Sequence, residues 1–158
     1  MPAMTTAAIH DAVHGIFQSM LGIEPSLHAL ERADRPLKNA GIAAIVGYAG
    51  EHEGTVVFIC GRSVATQLAE AMLMEDGLDP DSEEVDDAMG EIANMIAGQL
   101  KNLICKGGNE VQLSIPVILR EGDYRLHVPE YYERWRLTAF HTNGDPFYVE
   151  MVSREPIG

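Results

Sequence analysis

The sequence predicts an α+β fold in which a mostly antiparallel sheet is covered by long helices. Three observations predict it. Two long stretches carry apolar residues at helical spacing, and short Val- and Ile-rich runs bounded by turn residues read as strands. The order of these pieces, long helix and strands, a shorter helix, then long helix and strands again, reads as a duplicated helix-plus-strands unit.

The first helix is expected over about Thr6–Leu21, where Ile9, Val13, Ile16, Phe17, Met20 and Leu21 form one apolar stripe. Thr5 or Thr6 can cap it. After a short segment near Ser26–Arg32, Gly41–Gly50 and Gly54–Gly61 read as strands joined by the polar turn Glu51–Gly54. Ser63 is expected to cap a second helix that runs to about Met74, buries Val64, Leu68 and Met72, and is ended by Gly77 and Pro80. The longest helix spans roughly Ser82 to Cys105 and stops at Gly107–Gly108. Its acidic approach, Asp79–Asp87, places carboxylates at the positive end of the helix dipole. Strands follow at about Val111–Leu119, Tyr124–Val128, Arg134–Thr142 and Phe147–Val152, with Asn143–Gly144 a two-residue hairpin signal.

A chain of 158 residues is read as one domain, residues 1–158, with length enough for a real core. Its formal net charge of −13 argues against nucleic acid and against an anionic membrane surface as partners. No run is long and apolar enough to span a bilayer, and no signal peptide is recognisable. Two cysteines, Cys60 and Cys105, make no disulfide framework, which fits a reduced, cytoplasmic location.

The longest helix carries the chemistry. At about 100° per residue, Asp87, Glu91, Asn94 and Gly98 fall within about 60° of one another. Val85, Met89, Ile92, Ile96, Leu100 and Leu103 take the opposite, buried face. A carboxylate can pair with a lysine, and a carboxamide both donates and accepts, so it can hold a water in a fixed orientation. Holding water in line removes part of the entropic barrier to hydrolysis of a group bound to another protein. Gly98, at a helix position where glycine costs about 1 kcal/mol against alanine, suggests close approach to the backbone. An isolated Glu and Asn three apart would be ordinary solvated surface. Glu91 and Asn94 are expected to be exposed, with no protein group burying them.

The run Asp87-x-x-x-Glu91-x-x-Asn94, continuing as Met-Ile-Ala-Gly98-Gln, resembles the signature of the CheC/CheX/FliY family of chemotaxis phosphatases. Leu113-Ser114-Ile115-Pro116 is similar to the family's Leu-Ser-x-Pro element, and Phe140 through Gly144 to Phe147–Glu150 to its closing hairpin. The resemblance is dense from Asp87 to Pro116 and thinner elsewhere. It implies a CheC-like fold and hydrolysis of the aspartyl phosphate of a CheY-like response regulator. It assigns Glu91 to a lysine of the receiver and Asn94 to the attacking water, and carries roles to these two alone. On the enzyme reading Asp87 and Gly98 frame the docking surface, and Met95 beside the ridge suits either an adaptable contact surface or a partly buried helix edge. The resemblance implies no metal or cofactor of the chain's own, since magnesium belongs to the receiver. Ala8 and Asp11 stand on the first helix where a second Glu and Asn would be, so the single motif fits the CheX branch better than the CheC branch. A homodimer is implied as well.

Other clusters read as ordinary structure. His10 and His14 have metal-ligand spacing but no third ligand. Tyr131, Tyr132 and Trp135 fit a core edge or subunit interface. Lys106–Asn109 is too short for a phosphate cradle and follows a helix. The competing function is a non-catalytic adaptor that binds the receiver or a flagellar-switch assembly.

Overall fold

The computed structural model describes residues 5–39, 41–105, 111–122 and 128–158. Helix α1 is Thr6–Leu21, with the Thr5 hydroxyl accepting from the Ala8 amide at 3.1 Å and Gly22 closing it in the left-handed region. Two short strands follow, β1 (Ser26–Leu27) and β2 (Glu31–Arg32), then the long hairpin of β3 (Ile42–Gly50) and β4 (Gly54–Cys60). Helix α2 is Arg62–Leu73 and helix α3 Glu83–Ile104. The second set of strands is β5 (Val111–Leu113), β6 (Val117–Arg120), β7 (Glu133–Phe140) and β8 (Pro146–Ser153).

These strands form one antiparallel sheet, in the order β1-β7-β8-β4-β3-β5, with β2 also on β7 and β6 also on β3. The duplication is visible in this order. β4 and β8 pair at the centre, and each half's short strands leave their own half to pair with the other: β1 and β2 with β7, β5 and β6 with β3.

Alternation along the strands sends Ala44, Val46, Phe58, Val149 and Met151 to one face, where the helices pack. Phe17 of α1 stacks on Phe147 at 4.8 Å between ring centres, and Phe58 meets Phe147 edge-on at 5.8 Å. Each such buried side chain contributes about 1.5–3 kcal/mol through removal from water. The opposite sheet face holds Ala43, Val57 and Ile59, with Leu37 packed on them from the segment before β3. That segment is tied down by a buried carboxylate. Glu150, fully enclosed, accepts from Arg134 at 3.4 Å, from Arg136 at 3.2 Å and from the Leu37 amide at 3.2 Å.

Several local expectations need correction. The cap of α2 is Gly61, not Ser63, because β4 runs to Cys60 and leaves a single residue for the turn. The helix ends at Leu73, ahead of Gly77 and Pro80, with Met74 left-handed and 92% exposed. Leu103 lies outside the buried stripe, 41% exposed on the last turn of α3. The expected strand Val111–Leu119 is broken in two around Pro116, which has no N–H for a ladder. Asn143–Gly144 is not a two-residue turn. His141 donates to the Asp145 carbonyl at 2.8 Å and Gly144 to that of His141 at 2.8 Å, with Gly144 at φ 92°. This is a three-residue loop with its glycine left-handed. The Gly107–Gly108 stop and the strand expected at Tyr124–Val128 lie outside the described residues, apart from Val128, which is irregular.

Candidate functional site

Ser82 begins α3, its hydroxyl accepting from the Val85 amide at 3.4 Å, and Glu83, Glu84 and Asp86 occupy the first turn. Val85, Met89, Ile92, Ile96 and Leu100 are all at most 2% exposed and hold the helix on the sheet. Packing on three sides, by the sheet, α1 and α2, leaves one strip of α3 uncovered. Asp87 and Glu91 lie exposed on this strip, and Asn94 and Gly98 are half-buried along it. Asn94 is less open than expected, half-buried rather than fully exposed. Among the described residues, neither Glu91 nor Asn94 has a side-chain hydrogen bond or ion pair. Their polar atoms are left for solvent or a visiting group.

Beyond Asn94 the strip opens into a groove of about 780 Å³ between the two long helices. Met95 and Gly98 form its α3 wall, and Gly15, Ile16 and Met20 its α1 wall. Met20 is 61% exposed. A Cβ added at Gly15 or at Gly98 would meet nothing within 4 Å, so no contact inside the molecule requires glycine at either place. Met95 and Gly98 are thus brought together with residues of α1. Asp87 is not; it stands at the other end of the ridge.

Gly90 behaves differently. A Cβ there would lie 3.4 Å from both Cβ and Cγ of Pro116 and 3.6 Å from Cδ1 of Ile118. The Leu-Ser-x-Pro stretch explains how Pro116 reaches that spot. Tyr48 of β3 pairs with Leu113 and Ile45 with Val117, so three steps along β3 face four along the edge chain. The extra residue makes a bulge. Ser114 anchors its start, its amide donating to the Gly47 carbonyl at 2.8 Å and its hydroxyl accepting from the Gly47 amide at 2.9 Å. A few residues on, Arg120 donates to Asp86 at 2.8 Å and reaches Asp81 at 3.4 Å, and Arg62 pairs with Asp81 too. Sequence reading found the Leu-Ser-x-Pro element but not its seat on Gly90, nor the Arg120–Asp86 pair. The only signal was the buried glycine one residue before Glu91.

The clusters set aside in the sequence have ordinary partners. His10 lies 3.8 Å from Asp11 and His14 3.4 Å from Glu24. No group of three or more potential ligands is present among the described residues. Trp135 donates to Glu133 at 2.9 Å under the Arg32 guanidinium, while Tyr131 and Tyr132 contact each other at 5.2 Å. Cys60 is buried against the Met89 sulfur, and burial pushes its thiol pKa up. Lys106–Asn109 lies outside the described residues. No helix among them is long and apolar enough to cross a membrane.

The family model described as "Chemotaxis phosphatase CheX" matches residues 42–139, which contain all of α3 and the Leu-Ser-x-Pro bulge. The chain belongs to the CheX family. A curated relative, the CheY-P phosphatase CheX of Thermotoga maritima, is 23% identical over 80% of this chain and 81% of its own. The crystal structure of a CheX chemotaxis protein from Desulfovibrio desulfuricans matches with a TM-score of 0.79 at 24% identity, covering 94% of this chain and 97% of that one. The CheX–CheY–BeF3–Mg complex of Borrelia burgdorferi matches with a TM-score of 0.77 at 21% identity, again covering 94% and 97%. These likenesses establish the shared α+β fold.

Proposed function

We propose that this CheX-family chain, acting as one domain in the cytoplasm, hydrolyses the aspartyl phosphate of a phosphorylated CheY-like response regulator. The observation that carries the reading is the pair Glu91 and Asn94, on one strip of α3 and without partners of their own. The Thermotoga relative's name and the Borrelia complex support the substrate class.

In this reading α3 lies across the phosphorylation site of the receiver. Glu91 pairs with a receiver lysine and fixes the orientation of the two proteins. The Asn94 carboxamide holds a water in line with the P–O bond to the aspartate. The water oxygen bonds to phosphorus, the P–O(aspartate) bond breaks, inorganic phosphate leaves, and the receiver carboxylate is regenerated. The water's proton passes to the departing phosphate or to solvent. Magnesium in this scheme is the receiver's, and the Borrelia CheX–CheY complex contains magnesium and beryllofluoride. Asp87, Met95 and Gly98 extend the docking surface on either side of the pair, and the working form is a homodimer.

The test is the decay of aspartyl phosphate on a CheY-type receiver, with and without the protein. Accelerated decay is expected, and Glu91→Ala or Asn94→Ala should each lower kcat by about 100-fold or more, the scale for losing one aligned polar group. Binding without acceleration would instead make the chain an adaptor.

A further inference from the structure

Two contacts from one edge of the sheet grip α3 beside the proposed reactive pair. Pro116 packs its ring over Gly90, 3.4 Å from where a Cβ would lie, which is the near limit of ordinary contact. Arg120 holds Asp86, a helical turn earlier, at 2.8 Å. Asp86 and Gly90 are four apart, so both contacts fall on one line of the helix, and Asp87 and Glu91 are the next residue in each case. A helix held only by apolar packing can roll a few degrees at little cost. One held by a wedge and a charged fork on the same flank has its rotation fixed.

We propose that the Ser114–Pro116 bulge is a positioning element: it seats Pro116 on Gly90 and so sets the rotation of α3 that aims Glu91 and Asn94. The bulge suits this role. Without its extra residue, the edge strand would continue its regular alternation and Pro116 would fall out of step with the helix. Ser114 stabilises the irregular backbone by supplying both of its contacts to Gly47. The glycine at 90 lets the proline ring approach the helix backbone. Gly90 is buried and Gly98 half-buried, so the two glycines of α3 stand in different settings: one is packed by a proline of its own chain, the other has open space beside it.

This inference rests on the phosphatase reading, and its test separates the two. The measurement is kcat and KM for dephosphorylation of a CheY-type receiver, with the melting temperature of each variant. Gly90→Ala should not lower the melting temperature, since alanine is the better helix former. Its methyl would meet the Pro116 ring at the near limit of ordinary contact, so kcat should stay within about threefold. Gly90→Val places larger groups against the ring and should reduce kcat by about tenfold through misplacement of the pair, with KM changed less than about twofold. Pro116→Ala should also reduce kcat. The double variant Gly90→Val/Pro116→Ala should recover much of the loss, because the added methyls then have room. If Gly90→Val and Pro116→Ala keep full kcat while Glu91→Ala and Asn94→Ala abolish it, the positioning role is wrong and the phosphatase reading stands. If losses follow melting temperature and the double variant is no better than the singles, the contact is merely structural. If Glu91→Ala and Asn94→Ala leave turnover intact, the phosphatase assignment of the pair is itself overturned.

Discussion

The two long helices are built alike and equipped differently. Ile9, Val13 and Phe17 of α1 recur at the same spacing as Ile92, Ile96 and Leu100 of α3, and all six are buried. Gly15 and Gly98 face each other across one groove. On the outward side the likeness ends. Where α3 carries Glu91 and Asn94, α1 carries Ala8 and Asp11, and α1 begins without the first turns that hold Asp86 and Asp87 in α3. The packing face of a helix is constrained by the sheet beneath it, so duplication preserves it. The uncovered face answers only to what visits it.

The sharpest way to break this comparison is to remove the α3 pair. Glu91→Ala together with Asn94→Ala should eliminate acceleration of phosphate loss, a deficit of about 100-fold or more, if α1 supplies no second site. Adding Ala8→Glu and Asp11→Asn to that variant should restore nothing, because α1 lacks the extra first turns and the wedge that aim the pair. Recovered turnover would mean that two side chains are all that separates the helices.

A second contrast lies in the sheet, where Glu150 of β8 stands directly across from Val57 of β4. Glu150→Ala leaves Arg134 and Arg136 without their shared carboxylate and frees the Leu37 amide. It should destabilise the fold by about 3 kcal/mol, read from the urea midpoint, because an uncompensated charge is left largely buried. The smallest effect belongs to Gly98. Gly98→Ala should raise stability by about 1 kcal/mol, the helix-propensity gain at an unobstructed site. It should also raise KM for the phosphorylated receiver with kcat unchanged. An unaltered KM would remove Gly98 from the docking surface.

The ends of α1 and α3 were legible in the sequence because their caps are local. Thr5 and Ser82 sit where an N-cap belongs, and the apolar period runs between them and the far ends. The ridge on α3 was legible for the same reason. What escaped depends on partners distant in the chain. The bulge at Ile115–Pro116 exists because β3 sets a register on it. Asn94 is half-buried although its period sets it on the ridge, and no period within α3 announces what packs beside it. The Asn143–Gly144 loop was misread by a single residue, since His141 rather than Thr142 pairs with Asp145 to close it.

The exchange of short strands between the halves governs how the chain can fold during synthesis. Ser26 finds its partner in Phe140, and Ile42 one of its two in Arg120. Most of the polypeptide must therefore emerge before β1 has anything to pair with. Until then α1 can only lean its apolar side on a half-made sheet. Neither half is complete by itself, so pairing over such separations makes closure slow. A nascent chain stalled before β7 would display its unfinished sheet edge to its neighbours.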